Sequence, residues 1–523
     1  MKIGSGPAWP WDIILAGTPM MLDREPNGRK AWRVSGQSHV PARLDTGDLQ
    51  GVYGSPELEV PWHIGDLSGG YGLSHQIEGI VGRYAYASNF DARIPKRWLP
   101  GPAVTTHTMS GTAGTGRAMA TMNVNGTETL FAGTGDQVWS TTDGSTWALA
   151  KDFNDGSTIL SMVVYEGSQG EPFLFVGVDA GNNYWTYSNT DGWTNDADDE
   201  GCFFAVEGTR LWKAYRDSGV WKVRNSTTGG EAASWNAAIT VGDAAYAVTE
   251  MFYYQDRIYV VKEDSMLELN DDSDGFTQEL WPTNQADTNS VNGIGYGEFV
   301  NRAYIPIDGA LYEYRVVGTD QQLMAMGPNL LTQNASDVRG DTTAACGDRD
   351  HWLYTVIQNE DGNSFLMAWD IVTGAWHGSL ADLGAVTVRK MIVTDKVYAD
   401  GNPRLLIYAD NDILSIILER TGRDRSRDGN CTFATTGHLY FPVFYGRLPF
   451  INKAFLAATS LGEDLSSSAY GLLYYRTSVV GSWASIGTNW DTDPPDRVDF
   501  PSSGNKSRYM DFRLTVTSPS TSP

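Results

Sequence analysis

The spacing that most suggests chemistry is in NDDSDG, where Asn270, Asp272 and Asp274 alternate ahead of Gly275 as oxygen ligands do in the first half of a calcium loop. The second half departs from that pattern. Its twelfth position is Trp281 where a bidentate glutamate is needed, so a solvated hairpin turn competes with calcium as the reading. NDADDE, Asn195 to Glu200, has a similar surplus of carboxylates without ligand spacing. The glycines of GTAGTG, Gly111 to Gly116, lack the strand-and-helix context of a phosphate cradle and read as a loop. There is no Gly-x-Ser-x-Gly elbow and no His-Glu-x-x-His. His63, His75 and His107 have no second histidine or carboxylate at ligand spacing, while His351 and His377 each adjoin a tryptophan and read as structural. The three cysteines, Cys202, Cys346 and Cys431, are odd in number and far apart. They offer neither a disulfide framework nor a zinc site and read as buried small residues. No catalytic residue, and no cofactor beyond the calcium candidate, emerges from the motifs.

Sugar chemistry needs less of a motif. A glycoside hydrolase would set two carboxylates about 5 to 9 Å apart around a bond, but 63 Asp and Glu nominate no pair. A sialidase-like site would add arginines converging on a substrate carboxylate, and those of the middle region, such as Arg210, Arg216, Arg224, Arg257 and Arg302, are sparse. Glycan recognition without catalysis would use exposed aromatics such as Trp185, Trp193, Trp221 and Trp235, against which stands the ordinary packing role of tryptophan between sheets.

The elements that must position any such group are strands. In 523 residues there are 57 Gly, 18 Trp and 25 Tyr, with 19% charged residues, a composition of short aromatic strands and glycine turns rather than of helical bundles or disorder. The net charge of -25, from 38 basic and 63 acidic residues, disfavours a nucleic-acid binder that tracks phosphates. No stretch approaches the roughly 18 apolar residues of a membrane helix, and the N-terminal apolar run is broken by Pro10, Trp11 and Asp12. A soluble protein made in a cytoplasm is expected.

Charge divides the chain. About ten charges of each sign precede Arg117 and about seven of each follow Asn430, so all of the net charge lies between. That middle reads as a repeat array with units starting near Arg117, Thr158, Gly201, Ala244, Thr288, Gln333 and Gly384. One unit shows the pattern plainly: AVTEMFYY from Ala247, a Gln255-Asp256 turn, RIYVVKE, then SMLELN. Units of this length with apolar strands on both faces predict an all-β fold, a β-propeller of about seven blades over residues 117–430. Residues 1–116, rich in Gly, Pro and Trp, are expected to be an irregular docking and assembly segment. HLYFPVF, KAFLAATS, YGLLYYRTS and SRYMDFRLTVTS predict a C-terminal β-sandwich over 431–523.

Two resemblances refine this. STTDGSTW (Ser140 to Trp147), SNTDGW (Ser188 to Trp193) and NSTTGGEAASW (Asn225 to Trp235) resemble the Asp-box hairpins of sialidase-like propellers, in which an acidic side chain caps the turn and the Trp packs between blades. DLSGGYGLS, RYAYASNFDARIPKRWLPGP, a propeller containing AAITVGDAAYAVTEMFYYQDRIYVVKEDSMLELN, and LLYYRTSVVGSWASIG together resemble propeller-bearing virion proteins of tailed bacteriophages. This second resemblance implies a non-enzymatic structural protein of the virion, made in the host cytoplasm: a tail tip, nozzle or fibre-attachment component. Its expected partners are other tail subunits and its own copies in a symmetric ring, with host-surface glycan as a further partner, no sequence-specific nucleic acid and no membrane insertion. The alternatives are a sialidase-like or other glycoside hydrolase and a glycan-binding propeller.

Overall fold

The computed structural model describes residues 64, 66–71, 82–109 and 116–519, apart from loops at 168–169, 229–233, 271–274, 279–287, 319, 328–338, 349–350, 421–424, 445–451, 461, 463–464, 479, 493–495 and 502–505, together with strand backbone at 13–15, 18–24 and 30–34. The chain divides into a small unit, residues 1–64 with 446–449, and a large one holding the rest. The small unit contains an antiparallel meander of Ile13–Leu15, Thr18–Arg24 and Lys30–Val34. The expectation of irregular chain throughout residues 1–116 is therefore corrected here; Asn27-Gly28, a turn signal between the second and third strands, was the readable cue.

In the large unit, the described residues from 105 to 417 form seven four-stranded antiparallel sheets. Their first strands are Ala118–Val124, Ile159–Tyr165, Phe203–Glu207, Val248–Tyr254, Gly297–Phe299, Gly340–Gly347 and Val388–Thr394. These begin within nine residues of the unit starts read from the sequence. Turn chemistry explains much of the regularity. Gln255 and Asp256 both take positive φ, 46° and 62°, which gives the two-residue turn whose twist matches the flanking strands Val248–Tyr254 and Arg257–Lys262.

Each sheet buries both faces against its neighbours. Phe131 and Val138 of the first sheet share an apolar cluster with Leu174 and Val176 of the second. Phe175 and Tyr184 meet Phe204 and Leu211 of the third, and Trp212 and Val223 meet Met251 and Val260 of the fourth. Tyr259 and Val261 then meet Ile305 and Tyr314 of the fifth, and Tyr304 meets Leu353 and Met367 of the sixth. Leu366 packs with Leu405 and Ile407 of the seventh, and Leu406 and Tyr408 return to Leu130 and Trp139 of the first. A single hairpin could not remain folded in water, and this stacking supplies the burial it lacks. The arrangement is that of a β-propeller.

The three tryptophans of the Asp-box-like segments take part in this stacking. Trp147 packs in the cluster shared by the first and seventh sheets, Trp193 in that of the first and second, and Trp235 in that of the second and third. In the first segment the Asp143 carboxylate accepts the Ser145 and Thr146 backbone N–H groups at 2.8 Å each and the Thr141 hydroxyl at 3.0 Å.

Two pairings cross the boundaries drawn from the sequence. The seventh sheet consists of Val388–Thr394, Arg404–Ala409, Asp412–Ile417 and, as its outer strand, Thr105–Thr108, with His107 opposite Ile413. A segment that precedes the first sheet thus completes the last. Similarly, the C-terminal sheet runs Ala484–Ser485, Tyr470–Arg476, Asp511–Thr517, Thr436–Tyr440 and then Tyr86–Ser88. Both pieces come from residues expected to dock on other subunits, and both instead satisfy open sheet edges of the same chain. In Tyr470–Arg476 burial alternates, turning Gly471, Leu473 and Tyr475 inward. Two-stranded ladders, Lys453–Ala454 with Lys506–Ser507 and Ala457–Ser460 with Asp496–Asp499, accompany this sheet, and Val498 and Phe500 share its core.

Candidate functional site

Besides the local ion pairs within single sheets, buried or half-buried charge gathers in two places. The first lies where residues 82–101 pass between the sixth sheet and the C-terminal sheet. Asp91 and Arg93, both buried, form a two-pronged pair: Arg93 Nη2 reaches Asp91 Oδ2 at 2.9 Å, and Nε donates to Oδ1 at 3.0 Å. Arg93 also donates to the Tyr354 hydroxyl at 3.0 Å, reaches Glu419 at 3.4 Å, and lies over the Trp352 ring at 4.9 Å. Glu419 in turn meets buried Arg425, which donates to the Thr432 carbonyl at 3.1 Å. Burial alone would raise the Asp91 carboxyl, but the adjacent Arg93 charge outweighs it and holds the group at about 2.

Neighbouring contacts extend this clamp. Asn402, fully buried, donates to the Leu418 carbonyl and to Asp428, and its own oxygen accepts from Arg420 and Asn430. Its side-chain bonding capacity is filled. Fully buried His377 has Nδ1 3.5 Å from the Tyr84 hydroxyl and stands edge-on to Trp352. Burial pushes its imidazole down to about 4. Gly101 and Gly437 permit the close approach: a Cβ at Gly101 would fall 2.0 Å from the Leu380 carbonyl oxygen, and one at Gly437 2.3 Å from that of Asn89.

The second setting is the first end of the inner strands. In the second, fourth, sixth and seventh sheets the pairing of the inner strand skips one residue, Leu160, Thr249, Thr343 and Arg389 respectively. Such bulges bend a strand and re-aim its side chains. Gathered here are Arg117, just ahead of the first inner strand, Glu250 after the bulge of the fourth, and Arg389 and Lys390 at the bulge of the seventh, all half-buried. Burial raises the Glu250 carboxyl, against the pull of Lys390 and Arg117. Burial also lowers the Arg117 guanidinium; Glu250 opposes this and Arg389 adds to it. Arg389 is lowered by burial as well, against the field of Asp410. These mutual fields join residues of the first, fourth and seventh sheets. Arg117 reaches the third as well, 5.5 Å from the Phe203 ring. Among the described residues, Arg117, Arg389 and Lys390 make no ion pair, and the Glu250 carboxylate accepts the Met251 backbone N–H at 3.1 Å.

The residues singled out from the sequence lie elsewhere. Asn270 exchanges bonds with Gly275, its N–H donating to the Gly275 carbonyl at 3.0 Å and its side-chain oxygen accepting the Gly275 N–H at 3.3 Å. Asp272 and Asp274 are outside the described residues, as are His63, His75 and most of GTAGTG. No group of metal-ligating side chains occurs among the described residues. His107 Nε2 lies 2.8 Å from the Ser415 hydroxyl, and His351 packs against Trp352. Cys202 and Cys431 are buried and Cys346 is half-buried. Of the arginines weighed for substrate binding, Arg224 pairs with Asp199, Arg257 with Glu268 and Arg302 with Glu313, while Arg210 and Arg216 are exposed. Of the tryptophans weighed for glycan contact, Trp221 is buried and Trp185 is stacked on Phe153 at 4.5 Å. The axial charges were missed, although a charged residue directly before a methionine in an apolar inner strand, Glu250-Met251 and Lys390-Met391, was the signal for two of them.

No known protein-family description matches the chain, and no curated protein does. Among solved structures it is similar to a catalytically inactive virginiamycin B lyase from Staphylococcus aureus with quinupristin, at 8% identity over 61% of this chain and 99% of that one, with a TM-score of 0.43. It is also similar to the Pan2 WD40 domain of Neurospora crassa, at 10% identity over 62% and 98%, TM-score 0.43. A third is the extracellular domain of a one-component system from B. thetaiotaomicron, at 13% identity over 64% and 45%, TM-score 0.44. Likeness at this level leaves the class, a β-propeller, to rest on the strand order itself.

Proposed function

We propose that the chain is a non-enzymatic structural protein of a phage virion, a tail component in which a seven-bladed propeller acts as a rigid scaffold. The blade number is supported by the seven sheets, the apolar cluster at each junction, and the closing strand Thr105–Thr108. The C-terminal sheet and its two ladders are read as a sandwich.

The observation that carries the function is the clamp. Asp91, Arg93, Glu419 and Arg425 tie residues 82–101 to the chain that leaves the seventh sheet through ion pairs, and Arg425 also donates to the Thr432 carbonyl ahead of the C-terminal sheet. A subunit that holds neighbours in register needs that stiffness between its modules. Residues 83–102, which supply Asp91 and Arg93, are one of the four segments whose combination resembles tail proteins. Its partners would be other tail subunits and its own copies in a closed ring.

Cryo-electron microscopy of the concentrated chain, and of tailed particles containing it, tests the proposal. A rotationally symmetric ring seated in the tail is expected. A monodisperse monomer at high concentration that is absent from particles would overturn it.

A further inference from the structure

We propose that the outward face of the C-terminal sheet is a binding surface for an acidic saccharide, whose sugar rings rest on Tyr440, Tyr474 and Trp483 and whose carboxylate meets Arg513. Strand register aligns one row of side chains across four strands of that sheet: Tyr86 is opposite Tyr440, Tyr440 opposite Arg513, and Arg513 opposite Tyr474. The Tyr86 and Tyr440 rings are 5.2 Å apart, and the Arg513 guanidinium lies over the Tyr474 ring at 4.3 Å. Trp483, just ahead of Ala484–Ser485, stands edge-on to Tyr440 at 5.7 Å and lies 5.3 Å from the Arg513 guanidinium. A second row sets Ser88, His438, Thr515 and Leu472 side by side, with His438 Nδ1 3.0 Å from the Thr515 hydroxyl. The side chains of both rows are half-buried, whereas Leu439, Leu473 and Leu514, which alternate with them, are buried on the inner face.

The make-up of this face selects the partner. In the propeller Trp147, Trp193 and Trp235 pack inside sheet junctions, while here three tyrosines and a tryptophan share an outward face. A pyranose presents an apolar side of C–H groups and a rim of hydroxyls, and aromatic rings flanked by hydroxyls and an imidazole answer both. A protein partner would call for aliphatic surface, and the two rows offer Leu472 alone. Charge complementarity adds the acid group. Arg476 is paired with Asp511 at 2.6 Å, so Arg513 leaves the face a surplus of one cation in a chain of net charge -25. Ring faces hold a guanidinium by its flat side and leave its in-plane N–H donors for the two oxygens of a carboxylate. One acid group per bound segment matches that single charge, and a dense polyanion is opposed by the acidic propeller. This inference does not rest on the virion reading and would survive its failure.

The test is calorimetric titration of the full-length chain with tetragalacturonate and, as its neutral counterpart, cellotetraose, alongside an array of acidic and neutral oligosaccharides. Saturable binding of tetragalacturonate or of another acidic oligosaccharide on the array is expected, about tenfold or more tighter than that of a neutral one. Trp483→Ala, which leaves the strand ladders intact, should weaken binding of the acidic ligand about tenfold or more. Arg513→Gln should reduce affinity for the acidic ligand to that for the neutral one, a loss of selectivity that no general loss of folding would produce. Absence of saturable binding to every oligosaccharide would overturn the site, as would affinity that is unchanged in both variants. A parent that binds no oligosaccharide but loses assembled mass in light scattering on Trp483→Ala would also overturn it, marking the face as a contact between copies. Absence of the chain from tailed particles would leave the titration result untouched.

Discussion

The clamp and the axis hold similar numbers of buried or half-buried charges and treat them in opposite ways. At the clamp every charge is answered within the chain: Asp91 by Arg93, Glu419 by Arg93 and Arg425. At the axis Arg117 and Lys390 lie near Glu250 and Arg389 near Asp410, and none of the three cations makes an ion pair among the described residues. A paired buried charge is a fastening, since removing one partner strands the other. An unpaired one is a standing cost.

The largest expected effect follows from breaking the fastening. Arg93→Met should destabilise the protein by about 3–5 kcal/mol, because Asp91 is left buried without its partner. The double variant Asp91→Leu/Arg93→Met should recover most of that loss, and urea unfolding of the two variants measures both. Next comes His377. Its folded-state pKa of about 4 lies below the ordinary value of 6.5, so the unfolded chain binds a proton that the folded one refuses. The stability this residue permits is complete above pH 6.5 and declines as pH falls toward 4, by about 3 kcal/mol. Arg93 strengthens the effect and Asp91 opposes it. His377→Gln should lack this slope, which unfolding curves at pH 8, 6 and 4.5 would reveal against the parent.

A smaller change probes the close approach that the clamp requires. Gly101→Ala should cost about 1–3 kcal/mol in urea unfolding, since the added carbon meets backbone that has no room to yield. The smallest effect should have the opposite sign. Arg389→Gln removes a half-buried cation that makes no ion pair among the described residues and should stabilise the protein by about 1 kcal/mol at low salt, less as salt screens its repulsion with Arg117.

Much of the propeller could be read because its information is local. A buried strand, a two-residue turn and a second aromatic strand occur within twenty residues, as in Val248–Tyr254 and Arg257–Lys262 around Gln255-Asp256. Trp147, Trp193 and Trp235 likewise announce their packing by following a turn. The pairings of Thr105–Thr108 with Asp412–Ile417 and of Tyr86–Ser88 with Thr436–Tyr440 could not be read in this way. Each joins segments about three hundred or more residues apart, and a sheet edge leaves no trace in its distant partner beyond strand propensity. The axial charges were hidden for a related reason: Arg117, Glu250 and Lys390 become neighbours only when the ring is closed. Acidic motifs such as NDDSDG drew attention because their spacing is compact, yet Asn270 uses its side chain to close a turn.

The contrast between answered and unanswered charges is tested most directly by measuring the unfolding free energies of Arg93→Met and Arg389→Gln side by side, in phosphate-free buffer at low salt. The account predicts opposite signs: a loss of several kcal/mol for the first and a small gain for the second. A comparable loss in both would contradict it, showing that Arg389 is a fastening like Arg93.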